Sequence, residues 1–353
     1  MKDANDVLKS AGSDGLVALI KAATPAIIES EHLVDQPPNP VLDSFRDSIL
    51  TASQFRQLRI EERKTILSPF LKEADYGIIF APRGVGKSWI SLLVAKALCE
   101  GTDLGDHWQA TEQKRTLYID SEMNLFDVQQ RCEALQIEGD QFNILSHERL
   151  YSTSDDQVSF NLADPSQQDA ITEVAMEQSI DVLIIDNLST GFLGLRENES
   201  DSWERVSPWL LDLRRRGIGV ILVCHAGRNG QIRGTSKRED ATHWILSAED
   251  SDEVPEPNVL SFKTKFTKCR NAQPSDACAL AWRIDFTAEG PLVTTRTIDK
   301  YSQFVELVLG GMTSAKDLAE ELEISKGTAS KWAKRACEDK HIRNENGKYL
   351  PPK

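Results

Sequence analysis

A strand-like apolar run, Gly77-Ile-Ile-Phe80, passes directly into Ala81-Pro-Arg-Gly-Val-Gly-Lys-Ser88, and an apolar helical stretch, WISLLVAKALC, follows at once. No other segment limits the fold so strongly, because a buried strand, a glycine-bearing turn and a helix in that order belong to one edge of a parallel sheet. Gly84 and Gly86 let the backbone curl so that successive N–H groups converge. The start of the helix turns its positive end to the same point. The spacing is that of a phosphate-cradling P-loop, with Ala81 where the strict pattern has its first glycine. Lys87 is placed to reach the β- and γ-phosphates of ATP and Ser88 to ligate Mg²⁺, within a nucleotide-contacting set of Arg83, Gly84, Val85, Gly86, Lys87, Ser88 and Trp89. A glycine turn with an incidental Lys-Ser is the competing reading.

The rest of the chain agrees with a sheet of this kind. Short apolar runs at Tyr76–Phe80, Thr116–Ile119, Phe142–Leu145, Val182–Ile185, Val220–Cys224 and Trp244–Leu246 alternate with longer helical stretches, which predicts a doubly wound, mostly parallel α/β core. VLSFKTKF, ALAWRIDF and PLVTTRTI alternate on a period of two and predict an antiparallel extension. Before the core, Leu16, Leu19 and Ile20 fit a short amphipathic helix, and Asp35-Gln-Pro-Pro-Asn-Pro40 reads as a linker. Thr51 or Ser53 can cap a helix running through FRQLRIEERKTIL to Pro69. The expected division is residues 1–50 as an extension and linker, 51–300 as the main domain and 301–353 as a separate module.

Two acidic sites follow from strand ends. Asp186 closes Asp181-Val-Leu-Ile-Ile-Asp186, where a carboxylate can serve a nucleotide's Mg²⁺; a turn or helix cap is the other fate of such an Asp. TLYID ends in Asp120-Ser121-Glu122-Met123. Glu122 is the choice for a general base that polarises the attacking water, with Asp120 as fallback; both acids can equally start the helix NLFDVQQRCEALQ.

His225 ends VILVC and leads into Ala-Gly-Arg-Asn-Gly-Gln-Ile-Arg-Gly-Thr-Ser-Lys-Arg-Glu-Asp240. A neutral imidazole there can donate to a γ-phosphate and relay its loss to the loop. The loop carries Arg228, Arg233, Lys237 and Arg238 with Gly227, Gly230 and Gly234, either as a nucleic-acid contact or as a solvated loop with local ion pairs. Further on, Lys263 and Lys265 share one strand face, and Lys268-Cys-Arg270 ends the strand where long cations can reach a neighbouring subunit's phosphate, although charge alone favours a solvated strand edge.

Charge bears on the nucleic-acid question. The 353 residues carry Asp+Glu 55 against Lys+Arg 41, a formal charge of −14, which argues against broad coating of nucleic acid. The basic patches at 228–238 and 263–270 confine any contact to a narrow, channel-like surface, since screening separates faces more than about 10 Å apart. No run approaches the roughly 18 apolar residues of a membrane span, and MKDANDVLKSAGSDG lacks a signal-peptide core. Six scattered cysteines with no CxxC pair fit reduced thiols in the cytoplasm.

Residues Thr313–Ser325 and then Lys326–Cys337 read as helix, tight turn, helix. Leu318, Ala319 and Leu322 form the first stripe, and Lys331, Lys334 and Arg335 crowd the second helix. Asn346-Gly347 marks a short hairpin, a candidate wing. The pattern resembles a winged helix-turn-helix, whose second helix would enter the major groove of double-stranded DNA. From residue 301 onward nine basic and eight acidic residues leave the module nearly neutral, so a protein partner is equally open.

FAPRGVGKSW, LYIDSEM, IIDNLSTGFLGLRENESDSW, PWLLDLRRRG, ILVCHAG, RGTSKRED and FTKCRN occur in order at sensible spacing. Residues about 65–300 resemble RecA-fold ATPases related to plasmid RepA-type and DnaB-type hexameric helicases, and more closely the RepA-like ATPases of mobile elements. The resemblance implies a RecA-like ring, a hexamer with ATP between adjacent subunits and single-stranded DNA in the channel. Lys87, Ser88, Glu122 and Asp186 then match the phosphate, Mg²⁺ and catalytic positions, His225 the γ-phosphate sensor, and Lys268 and Arg270 the cations presented in trans. The implied activity is a DNA helicase or translocase. An ATP-dependent DNA-binding regulator or recombination mediator, and a non-enzymatic nucleotide-sensing adaptor, are the alternatives.

Overall fold

A computed structural model describes residues 14, 39–195, 203–227, 230–232, 237–273, 276–345 and 347–352. The chain divides into two compact units, residues 1–61 and 62–353. The expected helix around Leu16, Leu19 and Ile20 lies outside the described residues, as do most of the ENESDSW segment and Asn346 of the expected hairpin turn.

The first unit contains helices α1 (Pro40–Ser48) and α2 (Ala52–Gln57), neither with a buried residue. Asn39 caps α1 by accepting from the Leu42 N–H, and Thr51 caps α2 in a reciprocal pair with Gln54. The helix expected to run from Thr51 to Pro69 is corrected here. It ends at Gln57, where Leu58 turns extended, and Thr65–Ser68 is a strand paired with Leu71–Lys72 and Gln109–Ala110. Ile66 and Leu67 are fully buried by those pairings, and tertiary burial overrides the weak helical preference of the segment.

The second unit is built on one sheet of nine strands. In chain order they are β1 (Tyr76–Ala81), β2 (Thr116–Asp120), β3 (Phe142–Ser146), β4 (Val182–Asp186), β5 (Gly219–His225), β6 (Trp244–Asp250), β7 (Val259–Cys269), β8 (Leu280–Thr287) and β9 (Gly290–Thr297). They lie in the order β9-β8-β7-β6-β1-β5-β4-β2-β3. The first six are mutually parallel and the last three extend the sheet antiparallel, as the sequence pattern predicts. This is the expected mostly parallel α/β class. β5 stands between the P-loop strand β1 and the acidic strand β4, so three carboxyl ends meet side by side.

Every residue of β1 and β4 is buried, which explains their unbroken apolar character. Their side chains divide by alternation. Ile79, Ala81, Val182, Ile184, Ile221 and Val223 face a core that includes Leu92 and Leu93 of α3 (Lys87–Glu100). Ile78, Phe80, Leu183, Ile185, Val220 and Leu222 face the opposite core, with Trp209, Leu210 and Leu213. Each such side chain taken from water contributes about 1.5–3 kcal/mol. Gly77 is dictated by this packing, because a Cβ there would lie 2.1 Å from the fully buried Trp244 indole.

Residues 300–350 hold three helices, Lys300–Leu309, Ala315–Glu321 and Lys326–Glu338, and a hairpin of Arg343–Glu345 with Lys348–Leu350. Ser314 and Ser325 cap the second and third helices. Phe304, Val308, Leu318, Ala333, Ile342 and Tyr349 belong to a core of their own. Among the described residues no disulfide joins the six cysteines. Among the described residues no helix is long and apolar enough to cross a membrane.

Candidate active site

The turn after β1 has the conformation its glycines foretell. Gly84 and Gly86 sit at φ +89° and +103°, in the region L side chains rarely adopt. No heavy atom would approach a Cβ on Gly84 within 4 Å, so conformation rather than space selects glycine there. Gly86 caps α3 with no side-chain hydrogen bond. The first N–H groups of a fourteen-residue helix therefore remain open to an anion. Ala81, the departure from the strict motif, is fully buried in the strand and has no positive φ, so this position does not require glycine.

Three other strand ends complete the cluster. The register places Asp120 opposite Asp186 and Ala81 opposite His225. Lys87 Nζ lies 3.4 Å from Glu122 Oε2 and 3.7 Å from Asp186 Oδ1. His225 Nε2 is 3.8 Å from the same Glu122 oxygen. Burial first, then the Lys87 charge, lowers the His225 pKa below its ordinary value, so the imidazole is neutral at pH 7. Asp120 is buried and accepts from the Met123 N–H at 3.2 Å. Burial and then the Asp186 carboxylate push its pKa up to about 7. Glu122 is the more exposed acid and the one that touches Lys87, which favours it over Asp120 as the base.

Four residues of the site escaped the sequence reading. Tyr118, fully buried, donates its hydroxyl to Asp186 Oδ2 at 2.8 Å and lies 2.9 Å from Ser91 Oγ of α3. Burial, then Asp186, raises the Tyr118 pKa well above its usual value. The Asn187 side-chain amide donates to Glu122 Oε2, and its backbone N–H donates to Ser121 Oγ at 3.0 Å. The signal for Tyr118 and Ser91 is spacing alone, two residues before Asp120 on a strand and four after Lys87 on a helix.

The donor set fits a hydrated Mg²⁺. Asp186 Oδ1 is buried and accepts no hydrogen bond, 3.7 Å from the Lys87 ammonium, and Ser88 follows Lys87 in the first turn of α3. Among the described residues there is no group of three or more His, Cys, Asp or Glu suited to a metal. One carboxylate and one hydroxyl with nucleotide phosphates suit Mg²⁺, which seldom uses an all-protein cage.

The family described as AAA domain matches residues 40–231, from before the first core strand to the loop beyond His225. The chain belongs to this family. Its AAA domain is accordingly a P-loop ATPase domain. The chain is similar to a KaiC-like protein of the hyperthermophilic archaeon Pyrococcus horikoshii OT3, with 13% identity, TM-score 0.47, and coverage of 66% of this chain and 98% of the other. It is also similar to the flagellar accessory protein FlaH of Methanocaldococcus jannaschii, with 11% identity, TM-score 0.43, and coverage of 63% and 89%. A comparison with curated proteins gives no match.

The other expected residues are placed as follows. Trp89 is half-buried between the Phe286 ring, at 5.1 Å, and the Arg131 guanidinium, at 5.2 Å. Lys268 and Arg270 are not brought to this chain's own P-loop. β7 runs antiparallel to β6 and pairs Lys268 with Ile245 and Cys269 with Trp244, at the opposite end of the sheet from the turn after Ala81. There Lys268 donates to the Glu239 carbonyl, and Arg270 reaches the Asp240 carbonyl at 3.4 Å. Burial and then Arg270 lower the Lys268 pKa.

Arg238 is a correction. Expected to face nucleic acid, it is 2% exposed and packs over the Trp203 ring at 5.5 Å, because the helical turn Lys237–Asp240 points it inward. Arg228, Arg233 and the Lys237 side chain lie outside the described residues. In the C-terminal module Lys331 is exposed, Lys334 pairs with Glu338 at 3.8 Å, and Arg335 pairs with Asp339 at 3.5 Å while lying over Tyr301.

Proposed function

We propose that the chain is a Mg²⁺-dependent ATPase that forms a ring and acts on DNA as a RepA-like helicase or translocase, in replication of a mobile element or phage. The observation that carries the reading is the meeting of Lys87, Glu122, Asp186 and His225 at the open start of α3. The N–H groups of the turn and Lys87 bind the phosphates of ATP and balance their charge. Ser88 and Asp186 would hold Mg²⁺, which would offset the negative charge of the nucleotide phosphates. Glu122, oriented by Asn187, takes a proton from water as its oxygen bonds to the γ-phosphorus; the bond to the bridging oxygen breaks and ADP leaves with that electron pair. His225, neutral, donates to a γ-phosphate oxygen and loses that partner when phosphate departs.

Support for a motor comes from the positions of the cations. Lys268 and Arg270 are remote from their own P-loop, as residues serving a neighbouring copy must be. The loop after His225, with Arg228, Arg233 and Lys237, is the candidate contact for single-stranded DNA in the channel of a hexamer. Residues 51–300 form the motor on this reading, and 301–353 a winged helix-turn-helix for double-stranded DNA or a protein. The second reading, a DNA-binding regulator or recombination mediator that does not unwind, is favoured by the self-paired cations Lys334 and Arg335.

Mass determination with a non-hydrolysable ATP analogue, with and without single-stranded DNA, tests the reading. A hexamer formed with nucleotide and DNA, together with strand separation, is the expected outcome. A lasting monomer sinks the shared site, and DNA-stimulated hydrolysis without strand separation favours the regulator.

A further inference from the structure

The two oxygens of Asp186 have different surroundings. Oδ2 accepts from the Tyr118 hydroxyl at 2.8 Å, whereas Oδ1 accepts no hydrogen bond and faces Lys87 at 3.7 Å. Tyr118 spends its single hydrogen on Oδ2. Tyr118 can then only accept from Ser91, 2.9 Å away, and this draws the Ser91 hydrogen from its other acceptor, the Ser88 carbonyl at 3.1 Å. The hydrogen bonds run in one direction, from α3 through Tyr118 to Asp186. Tyr118 and Ser91 are both fully buried. Packing alone does not call for their hydroxyls, since phenylalanine and alanine would fill nearly the same space without a polar group to satisfy.

The same helix carries Ser88, the other protein ligand expected for Mg²⁺, one turn before Ser91. We propose that Tyr118 is a positioning residue for the metal-nucleotide complex: with Ser91 behind it, its hydroxyl holds Asp186 by Oδ2 so that Oδ1 stays presented to the cation, and it fixes the strand ligand in register with the helix ligand. This inference rests on the proposed role of Asp186 in holding Mg²⁺.

The test is Tyr118→Phe in the full chain, with ADP binding followed by calorimetry in excess Mg²⁺ and again in EDTA. The expected result is about tenfold weaker binding with Mg²⁺, the lower end for loss of a residue that orients a metal ligand, and unchanged binding in EDTA. The Mg²⁺ concentration for half-maximal hydrolysis rises about tenfold, while kcat at saturating Mg²⁺ falls less than about threefold. Ser91→Ala shifts the same quantities in the same direction by about two- to threefold. Equal Mg²⁺ dependence in Tyr118→Phe and the parent overturns the inference, as does equal weakening in Mg²⁺ and EDTA, which marks a merely structural role. Should Tyr118→Phe fail to fold, Ser91→Ala decides, and an unaltered Mg²⁺ dependence there overturns the inference. A parent that binds ADP identically with and without Mg²⁺ refutes the metal reading of Asp186 itself.

Discussion

The two ends of the parallel strands are built from similar charged residues to opposite effect. At the amino-terminal end, Asp75 is fully buried and fully committed. It accepts from Arg63 at 2.7 Å, from the Lys72 N–H at 2.9 Å and from the Asn271 amide, with His243 at 3.3 Å and Arg214 beyond. At the carboxyl-terminal end, Asp186 and His225 each keep one buried polar atom without a hydrogen bond. Buried polar atoms are normally satisfied, so the closed network is architecture and the open one is poised for something the chain does not itself supply.

The contrast can be broken from either side. Lys87→Ala should slow hydrolysis about 10³-fold while the urea midpoint moves by less than about 1 kcal/mol in stability. A large loss of stability would mean that the open end also holds the fold together. Asp75→Ala should do the reverse, costing about 3 kcal/mol in a denaturant titration because Arg63, the Lys72 N–H and the Asn271 amide lose their common acceptor, with hydrolysis below the melting transition nearly unchanged. Gly77→Ala, at the same closed end, should cost about 1–3 kcal/mol by driving a methyl group into Trp244, readable as a lower Tm. The smallest effect concerns pH. Burial and Lys87 lower the folded pKa of His225, so its contribution is present above the unfolded value of about 6.5 and is lost as pH falls below it. His225→Asn should therefore flatten the decline in Tm from pH 7 to pH 5, and an unaltered slope would remove His225 from the account.

Much of this contrast was legible in the sequence. Continuous apolar runs marked β1 and β4 because both of their faces are buried, and acids at strand ends marked Glu122 and Asp186. Tyr118 was not legible, since an aromatic residue inside a buried strand looks the same whether its hydroxyl is incidental or aimed at a carboxylate. Arg238 misled for the converse reason: a cation among cations in a loop suggests solvent, and only the Trp203 ring over it shows otherwise. The segment RIEERKTIL misled through helical spacing, while partners distant in sequence made Thr65–Ser68 a strand. Pairing of Lys334 and Arg335 four residues along their helix was readable, yet the count of basic residues hid it.

On the proposed role of Lys268 and Arg270 in a neighbouring copy's site, their placement at the end of the sheet remote from the P-loop makes each subunit directional. A two-fold dimer can bring turn and cations together only as two reciprocal sites within one contact. Head-to-tail addition instead brings the cations of one copy to the turn of the next, and such addition must close on itself or grow without limit. Subunit number is then a matter of the rotation between neighbours, and any chain at the end of an unclosed assembly keeps one incomplete site.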